Sequence, residues 1–398
     1  MRLKWLDGYD LDSLFARLQR VRSKSEYSLW YPILTSAATF DPQVPPKERF
    51  AIVQRCLERV LATKGATPRQ LLTALSREQD AYLRLPEQEW ELRTAISITP
   101  SRQLYGRRRF ARATLYFSRW TRPDEAIAAN LDARAVPATP NSYLRVRVRV
   151  SARSSDHADQ KAFLALDALR GLWNYALGRW HFTSLSIGLG PRFTLHRIND
   201  PPGAPFHAGW YSDWSFTEAI AEPKQIARMV DTYKQSEFRL KSIQVGYRES
   251  LLLLLARFAR ALQYPDQDAA FIELWAIIEA LTSTTEKQTY DVTVRRAANV
   301  FRPSTLLRNL LNHLRATRNA VVHRGQESDY VRSLLLQARY VVEGLFAYHF
   351  FFGRVFAGLD EAGAFLDLSQ DEVTLRRQIG MRKMAIHLLD CGPYGRRL

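Results

Sequence analysis

The segment from Leu144 to Val150 constrains the fold more than any other part of the chain, because it alternates strictly between apolar residues and arginine. Its sequence is Leu-Arg-Val-Arg-Val-Arg-Val. Only an extended strand places every second residue on one face, so the segment predicts a β-strand with an apolar side and an arginine side. Helical periodicity prevails before and after this region, and the chain is therefore predicted to be an α+β protein.

Apolar periodicity divides the 398 residues into three predicted parts. Residues 1–87 are predicted to be an N-terminal helical segment, in which Thr67-Pro68 starts the third helix. Residues 88–222 are predicted to be a β-rich α+β region. Residues 223–398 are predicted to form an all-helical bundle, because helical periodicity continues there with short connections.

Within these parts, the sequence predicts individual elements with definite bounds. The predicted strands cover residues 91–99, 110–119 and 144–150, and a helix at 158–177 interrupts them. The predicted bundle helices cover residues 224–263, 267–284, 290–300, 304–324 and 328–357.

Charge and composition narrow the expected partners and location. The formal net charge is +17, from 57 Lys and Arg against 40 Asp and Glu, which favours a polyanionic partner. No apolar run reaches the roughly 20 residues that cross a bilayer, so no membrane span is expected. The two cysteines cannot form a disulfide framework, and residues 1–10 lack the apolar core of a signal peptide. A cytoplasmic protein is therefore expected.

The pattern Arg-Asn-x-x-x-His occurs twice between Leu306 and Gly325. Eight Asn and eight His in the chain give a chance expectation of about 0.02 such patterns, so the pattern points to a functional site. The second copy, Arg318-Asn319 to His323, is the better candidate. Gly325 is a plausible cap just beyond it, and a histidine in the last turn of a helix is favoured in its protonated form by the helix dipole.

Helix geometry places the three motif residues around the end of that helix. Asn319 and His323 are one turn apart on one face, and Arg318 lies about 140° around the helix from His323. The arrangement suits the edge of a cleft that a second surface completes. The first copy, Arg308-Asn309 to His313, lies in the middle of the helix and is predicted to be structural.

The motif and its surroundings resemble the HEPN superfamily, helical bundles found in many prokaryotic nucleases and toxins, and within it the ApeA-like HEPN domains of anti-phage defence. The resemblance lies in Arg318 to Gly325, in the preceding helix from Phe271 to Leu281, and in the intervening Arg295-Arg296 helix. It covers residues 265–357, about a quarter of the chain.

The resemblance implies a metal-independent endoribonuclease without a cofactor. RNA supplies its own nucleophile, the 2′-hydroxyl, so the site needs a proton shuttle and a cation for the phosphorane charge. His323 and Arg318 are of the required types, and Asn319 would orient the phosphate or the imidazole. Glu279, carried over from the resemblance, would fix Arg318 or His323. The expected products carry a 2′,3′-cyclic phosphate and a 5′-hydroxyl.

Arginines near the motif and on the strand are the predicted RNA contacts. Between Asp291 and Glu327 there are seven arginines and no carboxylate, which predicts a positive surface. The arginines assigned there to RNA binding are Arg295, Arg296, Arg315 and Arg324. The strand arginines Arg145, Arg147 and Arg149 are a second candidate, although such a face is also typical of a solvated surface that opposes aggregation.

Two classes of function remain open on this sequence. One is an RNA-cutting enzyme in anti-phage defence or as a toxin; the other is a non-catalytic RNA- or protein-binding HEPN module that acts as a sensor or scaffold. In either class the β-rich region would sense a phage-derived trigger or position RNA, either tRNA or mRNA. The reaction takes a proton from the 2′-hydroxyl and gives one to the 5′-oxygen, and a single Arg with a single His makes a sparse site for both steps. Two copies of the motif would suffice, so a homodimer through the bundle is expected.

Overall fold

A computed structural model describes residues 32, 34–36, 38–63, 67–119, 142–178, 186–189, 194–199, 207–208, 218–284, 290–324, 331–369 and 371–391. Its helices are α1 (Pro46–Leu61), α2 (Pro68–Leu83), α3 (Ser155–Gly178), α4 (Pro223–Lys241), α5 (Val245–Ala261), α6 (Gln267–Leu281), α7 (Tyr290–Asn299), α8 (Ser304–Arg324), α9 (Val331–Phe352), α10 (Leu359–Leu366) and α11 (Glu372–Cys391). Its strands are β1 (Gln88–Ile96), β2 (Gly106–Phe110), β3 (Ala113–Ser118), β4 (Leu144–Ala152), β5 (Thr194–Arg197) and β6 (His207–Ala208). The predicted α+β class is confirmed, and every described element after residue 222 is a helix.

Helices α1 and α2 pack on each other around a small core of their own. Ile52, Leu57, Leu71 and Leu75 are buried in it. The predicted start of α2 is confirmed: the Thr67 backbone N–H donates to the side chain of the third helical residue, and that residue's N–H donates to the Thr67 hydroxyl. The part of the predicted N-terminal helical segment before residue 32 lies outside the described residues.

The strands form one antiparallel sheet in the order β2-β3-β4-β1-β5-β6. The strand predicted from alternation is confirmed as β4, in which Val146, Val148 and Val150 are buried on the apolar side. Its arginines project from the opposite side, as period-two geometry requires. In the register of the sheet, Arg147 lies directly opposite Arg93 of β1.

Helix α3 is the central element of the fold and confirms the helix predicted at 158–177. It covers the apolar side of the sheet, where the Trp173 ring lies 5.5 Å from the ring of Phe117 between centroids. Its other side packs closely against α5. At Gly171 the approach is so close that an added Cβ would lie 2.0 Å from the carbonyl oxygen of Leu255. Only glycine fits this crossing.

Buried charges reinforce the contact between α3 and α5. Asp167 accepts from Arg170 at 2.6 Å on its own helix and from Arg260 of α5 at 2.7 Å. Arg170 also donates to the Gln263 side chain at 2.5 Å. One hydrophobic core therefore runs from the sheet through α3 into the bundle, across residue 222. The predicted domain boundaries at 87 and 222 remain predictions.

The prediction of a single helix at 224–263 is wrong, because the chain forms two helices there. Helix α4 ends at Lys241 and α5 begins at Val245. The Ser242 hydroxyl donates to the carbonyl oxygen of Arg239 at 2.7 Å and closes the last turn of α4, while Ile243 turns into the core. The remaining predicted bundle helices are confirmed as α6 to α9, with a 3₁₀ turn at Gly353–Val355 after the last of them.

Candidate functional site

Helix α8 carries both copies of the Arg-Asn-x-x-x-His pattern and has the predicted bounds. It is held by one apolar side, on which Leu307, Leu311 and Leu314 are buried. This side packs against α7 and α6. The remaining sides of the helix are partly or fully exposed. The helix is therefore a surface element that is anchored at its N-terminal half and presents the second motif copy at its C-terminal end.

The second copy begins with a contact between its first two residues. The Arg318 guanidinium donates from Nη1 to Oδ1 of Asn319 at 3.2 Å, and both side chains are half-buried. Asn319 thus restricts the orientation of the arginine. His323 lies in the last described turn of α8, about 40° around the helix from Asn319. The side chains of His323 and Arg324, and the predicted cap at Gly325, lie outside the described residues.

The first copy lies in a different place on the same helix. It begins ten residues earlier, which corresponds to about 15 Å along the axis and about 80° around it. Arg308, Asn309 and His313 are exposed. The backbone carbonyl of His313 accepts from the Thr317 hydroxyl at 3.1 Å. The two copies therefore do not form one cluster.

The Glu279 side chain is oriented within its own helix. Its Oε1 accepts a hydrogen bond from the indole nitrogen of Trp275, one turn earlier on α6, at 2.7 Å. The two residues of the predicted α6 signature thus contact each other. Helix α6 packs against α8. Among the residues that the structure describes, the Glu279 carboxylate bonds to Trp275 and not to Arg318. The alternative contact, with His323, lies outside the described side chains.

Arg296, a predicted RNA contact, is a buried side chain with structural partners, and its contact with RNA remains a prediction. It is 6% exposed. Its guanidinium donates to Asp367 at 2.6 Å and to the carbonyl oxygens of Thr282 and Ser283 at 2.8 and 2.9 Å. The hydrogen bond from Arg296 keeps the pKa of the Asp367 carboxyl below its ordinary value. The arginine thereby fixes the end of α6 to the segment after α10.

Two further predicted RNA contacts, the exposed Arg295 and the half-buried Arg315, have acidic neighbours. Arg295 donates to Asp367 at 2.7 Å, and Arg315 of α8 pairs with Asp291 of α7. Exposed pairs of this kind contribute little to stability and can exchange partners. The sequence suggested that the surface around these arginines has no carboxylate. Asp367, about 70 residues further along the chain, lies against it and accepts hydrogen bonds from Arg295 and Arg296.

The strand arginines do not lie on an open surface. Arg145 is 6% exposed and offers little surface to RNA, and its predicted RNA contact remains a prediction. Arg149 donates to Glu91 of β1 at 2.8 Å. Arg147 and Arg149 both lie over the ring of Tyr116, at 5.3 and 4.9 Å from its centroid. The sequence reading missed Glu91 and Tyr116, which alternation within β1 and β3 could have placed on this side.

Comparisons with known proteins add no family to these observations. A scan against protein-family models, a search of curated proteins and a search of solved structures each found no match. Within the described ranges, no helix is long and apolar enough to cross a membrane. The same part of the chain contains no group of three or more His, Cys, Asp or Glu placed to hold a metal ion.

Proposed function

We propose that the chain is an endoribonuclease of the HEPN type, acting in anti-phage defence or as a toxin. The observation that carries the proposal is the second motif copy, with Arg318 held by Asn319 and His323 in the last described turn of a surface helix. These residue types match what RNA cleavage without a metal needs. The cation and the proton shuttle are both carried by the C-terminal end of α8.

The proposed reaction is a transesterification followed by release of the 5′-hydroxyl end. The 2′-oxygen bonds to phosphorus, the bond from phosphorus to the 5′-oxygen breaks, and the 2′-hydroxyl proton passes to a base. The 5′-oxygen takes a proton from an acid, which leaves a 2′,3′-cyclic phosphate. His323 serves the proton transfers, and Arg318 stabilises the charge on the phosphorane. Asn319 is a positioning residue because it orients the guanidinium.

Purified protein incubated with labelled tRNA and with total RNA should cleave RNA equally well with and without excess EDTA. The reason is that the proposed chemistry uses the 2′-hydroxyl, His323 and Arg318, and no metal-bound water. The ends should be a 2′,3′-cyclic phosphate and a 5′-hydroxyl, which phosphatase and kinase labelling distinguish. Loss of cleavage in EDTA, restored by Mg²⁺ or Mn²⁺, would contradict the mechanism. Binding of RNA without cleavage would favour the non-catalytic module.

We further propose that two chains complete the site. Each chain contributes one motif arginine and one motif histidine, whereas the reaction needs a base and an acid. A two-fold interface through the end of α8 would bring two copies of His323 and Arg318 to one cleft. Facing arginines repel each other, and an RNA phosphate between them relieves the repulsion, so assembly should tighten with substrate.

Mixing His323→Ala subunits with Arg318→Ala subunits should restore part of the RNA cleavage that each variant lacks alone. In a heterodimer the intact histidine of one chain faces the intact arginine of the other. Light scattering or sedimentation gives the mass of the protein, and the cleavage rate of the mixture gives the complementation. Each variant alone at the same total concentration is the control. A strictly monomeric wild-type protein that still cuts RNA would show that the site is complete within one chain.

A further inference from the structure

Helix α11 carries an unusual number of exposed apolar side chains. The exposed large apolar residues on it are Val373, Ile379, Met381, Met384, Ile386 and Leu388. Leu375 and Gln378 are partly buried. Among the elements that the structure describes, none packs along α11. The apolar residues of this helix are therefore in contact with solvent in the single chain.

A helix with these properties needs a partner. In water, most of the stability of a helix comes from the packing of its apolar residues and not from intrinsic propensity. Gly380 in the middle of α11 weakens the helix further, and an added Cβ there would meet nothing within 4 Å. No neighbouring element of the described chain therefore requires this glycine. The group of exposed apolar residues marks α11 as an interaction element.

Four of the exposed residues share one side of α11, which we call the apolar stripe. Met381, Met384 and Leu388 follow one another at spacings of three and four residues, and such residues are neighbours on a helix. Val373 lies eight residues before Met381, on the same side. Arg377 lies within the stripe, one turn after Val373. The stripe is thus an apolar surface that contains one positive charge.

Helix α11 is positively charged as a whole. Its basic residues are Arg376, Arg377, Arg382 and Lys383, against the acidic residues Glu372 and Asp390. Arg376 pairs with Glu372 at 2.6 Å. The other three basic side chains are exposed and have no acidic partner among the described residues. Direct pairing of two α11 helices would bring like charges together, so an acidic surface is the better partner.

A second group of exposed apolar side chains lies where α9 ends and α10 follows. Phe352, Val355 and Phe365 are 56, 67 and 49% exposed, and we call them the aromatic patch. The rings of Phe352 and Phe365 both lie near the ring of Tyr348, at 5.8 and 6.4 Å between centroids. Tyr348 is buried, so it supports both rings from below. Phe351 is not part of the patch, because the guanidinium of an α4 arginine covers its ring at 3.6 Å.

The segment that carries the aromatic patch has the opposite charge to α11. Residues 353–371 contain one basic residue, Arg354, and four acidic residues, Asp360, Glu361, Asp367 and Asp371. Asp367 and Asp371 already have partners, which are two arginines of α7 and the first turn of α11. Asp360 and Glu361 are exposed, and within the described chain they accept from a serine hydroxyl and from a backbone N–H. They have no basic partner there.

We propose that α11 of one chain docks on the aromatic patch of a second copy of the same chain, and that the exchange is reciprocal. The methionines of the apolar stripe have flexible side chains that adapt to the aromatic rings. Arg377 of the stripe then faces the side of the partner that carries Asp360 and Glu361. A two-fold axis uses both surfaces twice, once in each direction.

The size of the two surfaces fits such an exchange. A helix of 20 residues is about 30 Å long and about 10 Å wide, so one docking covers up to about 300 Å² on each surface. Two reciprocal dockings bury up to about 1,200 Å² in total, which is the lower end of the range for specific interfaces. One docking alone would be too small, and the reciprocal arrangement is therefore the one that we propose.

This interface differs from the proposed pairing through the end of α8. Helix α8 ends at Arg324 and α9 begins at Val331, whereas the aromatic patch lies at the other end of α9. That end is about 33 Å away along the 22 residues of α9. The inference therefore goes beyond the proposed ribonuclease and does not depend on it. A protein that uses both interfaces would form assemblies larger than a dimer.

Light scattering and sedimentation of the full chain over a range of concentrations test the docking. Met384→Glu puts a carboxylate on the apolar stripe, opposite an acidic surface, and Val355→Lys puts an ammonium beside Arg354, opposite a basic helix. Each variant should raise the dissociation constant of the wild-type association at least about tenfold, because each change acts twice in a two-fold pair.

Leu253→Glu is the matched control. Leu253 is an exposed apolar residue on a helix, as Met384 is, but it lies on α5. The control should associate as wild type does. All three substituted residues are more than half exposed, so the unfolding temperature of each dilute variant should equal that of dilute wild type.

Mixing the two variants distinguishes exchange between chains from other ways of covering α11. In a mixed pair, the intact α11 of the Val355→Lys chain meets the intact patch of the Met384→Glu chain. The two substituted surfaces have opposite charges and do not oppose the pair. The mixture should therefore associate more tightly than either variant alone.

Equal masses of wild type and Met384→Glu at every concentration, or no gain on mixing, would overturn the proposal. A lower unfolding temperature of dilute Met384→Glu would also overturn it, because α11 would then pack on its own chain. So would a monomeric wild type that binds vesicles of phosphatidylserine and phosphatidylcholine through Met384, because a lipid surface would then be the partner.

Discussion

His323→Ala and Arg318→Ala should each lower the rate of RNA cleavage by at least about 100-fold, because the first removes the proton shuttle and the second removes the cation that stabilises the phosphorane. Folding should survive. Helix α8 is anchored through Leu307, Leu311 and Leu314, which both variants keep. Arg318 follows Leu314 by one turn on the same side and is half-buried, so the unfolding measurement is the essential control for Arg318→Ala. Single-turnover cleavage of a labelled RNA measures the effect, and circular dichroism with thermal unfolding measures the fold.

Two matched variants make this experiment specific. His313→Ala changes an exposed histidine in the first copy of the same pattern on the same helix and should leave the rate unchanged. Arg318→Lys keeps the charge but loses the planar group that reaches Asn319, so its rate should lie between those of wild type and Arg318→Ala. Cleavage that is lost in His313→Ala and kept in His323→Ala would move the site to the first copy.

Gly171→Ala should lower the free energy of unfolding by about 3 kcal/mol or more, at or beyond the upper end of ordinary overpacking. An added Cβ would meet the carbonyl oxygen of Leu255 at 2.0 Å and its carbonyl carbon at 2.7 Å. Both atoms belong to the backbone of α5, so no side chain can move aside. The two helices would have to separate, which also strains the bond between Arg260 and Asp167.

Urea denaturation followed by circular dichroism measures this loss, and the chain offers a control of the opposite sign. Gly246 lies in α5 as well, and an added Cβ there would meet nothing within 4 Å. Gly246→Ala should therefore be neutral or stabilise the protein by up to about 1 kcal/mol, since alanine favours a helix. A Gly171→Ala protein as stable as wild type would show that the crossing of α3 and α5 is looser than the structure indicates.

Periodicity was enough to predict the elements that have one apolar side. Strand β4 and helix α8 follow from the alternation at Leu144–Val150 and from helical spacing alone. The break between α4 and α5 could not be predicted in the same way. Leu240, Ile243 and Tyr247 continue a helical spacing through it, and the nearby Gly246 lies inside α5 and not at the break. The chain turns there because Ser242 caps Arg239 and the core takes up Ile243.

The motif could be predicted from the sequence because its residues are neighbours on one helix, but the surroundings of the other arginines could not. Asp367 reaches Arg296 from 71 positions away, and no local pattern predicts this contact. The partners of Arg149 and Arg147 depend on strand register, which pairs β4 with both β1 and β3. A one-residue slip in either pairing would change every neighbour of the β4 arginines. Alternation alone therefore predicts which side of the sheet an arginine lies on, but not which residue it contacts.

The position of α3 has a consequence for how such a protein can diversify. The helix belongs to the stretch that contains the strands, yet the surface that accepts Gly171 is the backbone of α5 in the bundle. A recombination event that replaced residues 88–222 with an unrelated sequence would remove Gly171, the residue that lets α3 approach the backbone of α5. Inheritance of the two parts is thereby linked, because a replacement stretch would keep the contact with α5 only if it carried a glycine at the crossing.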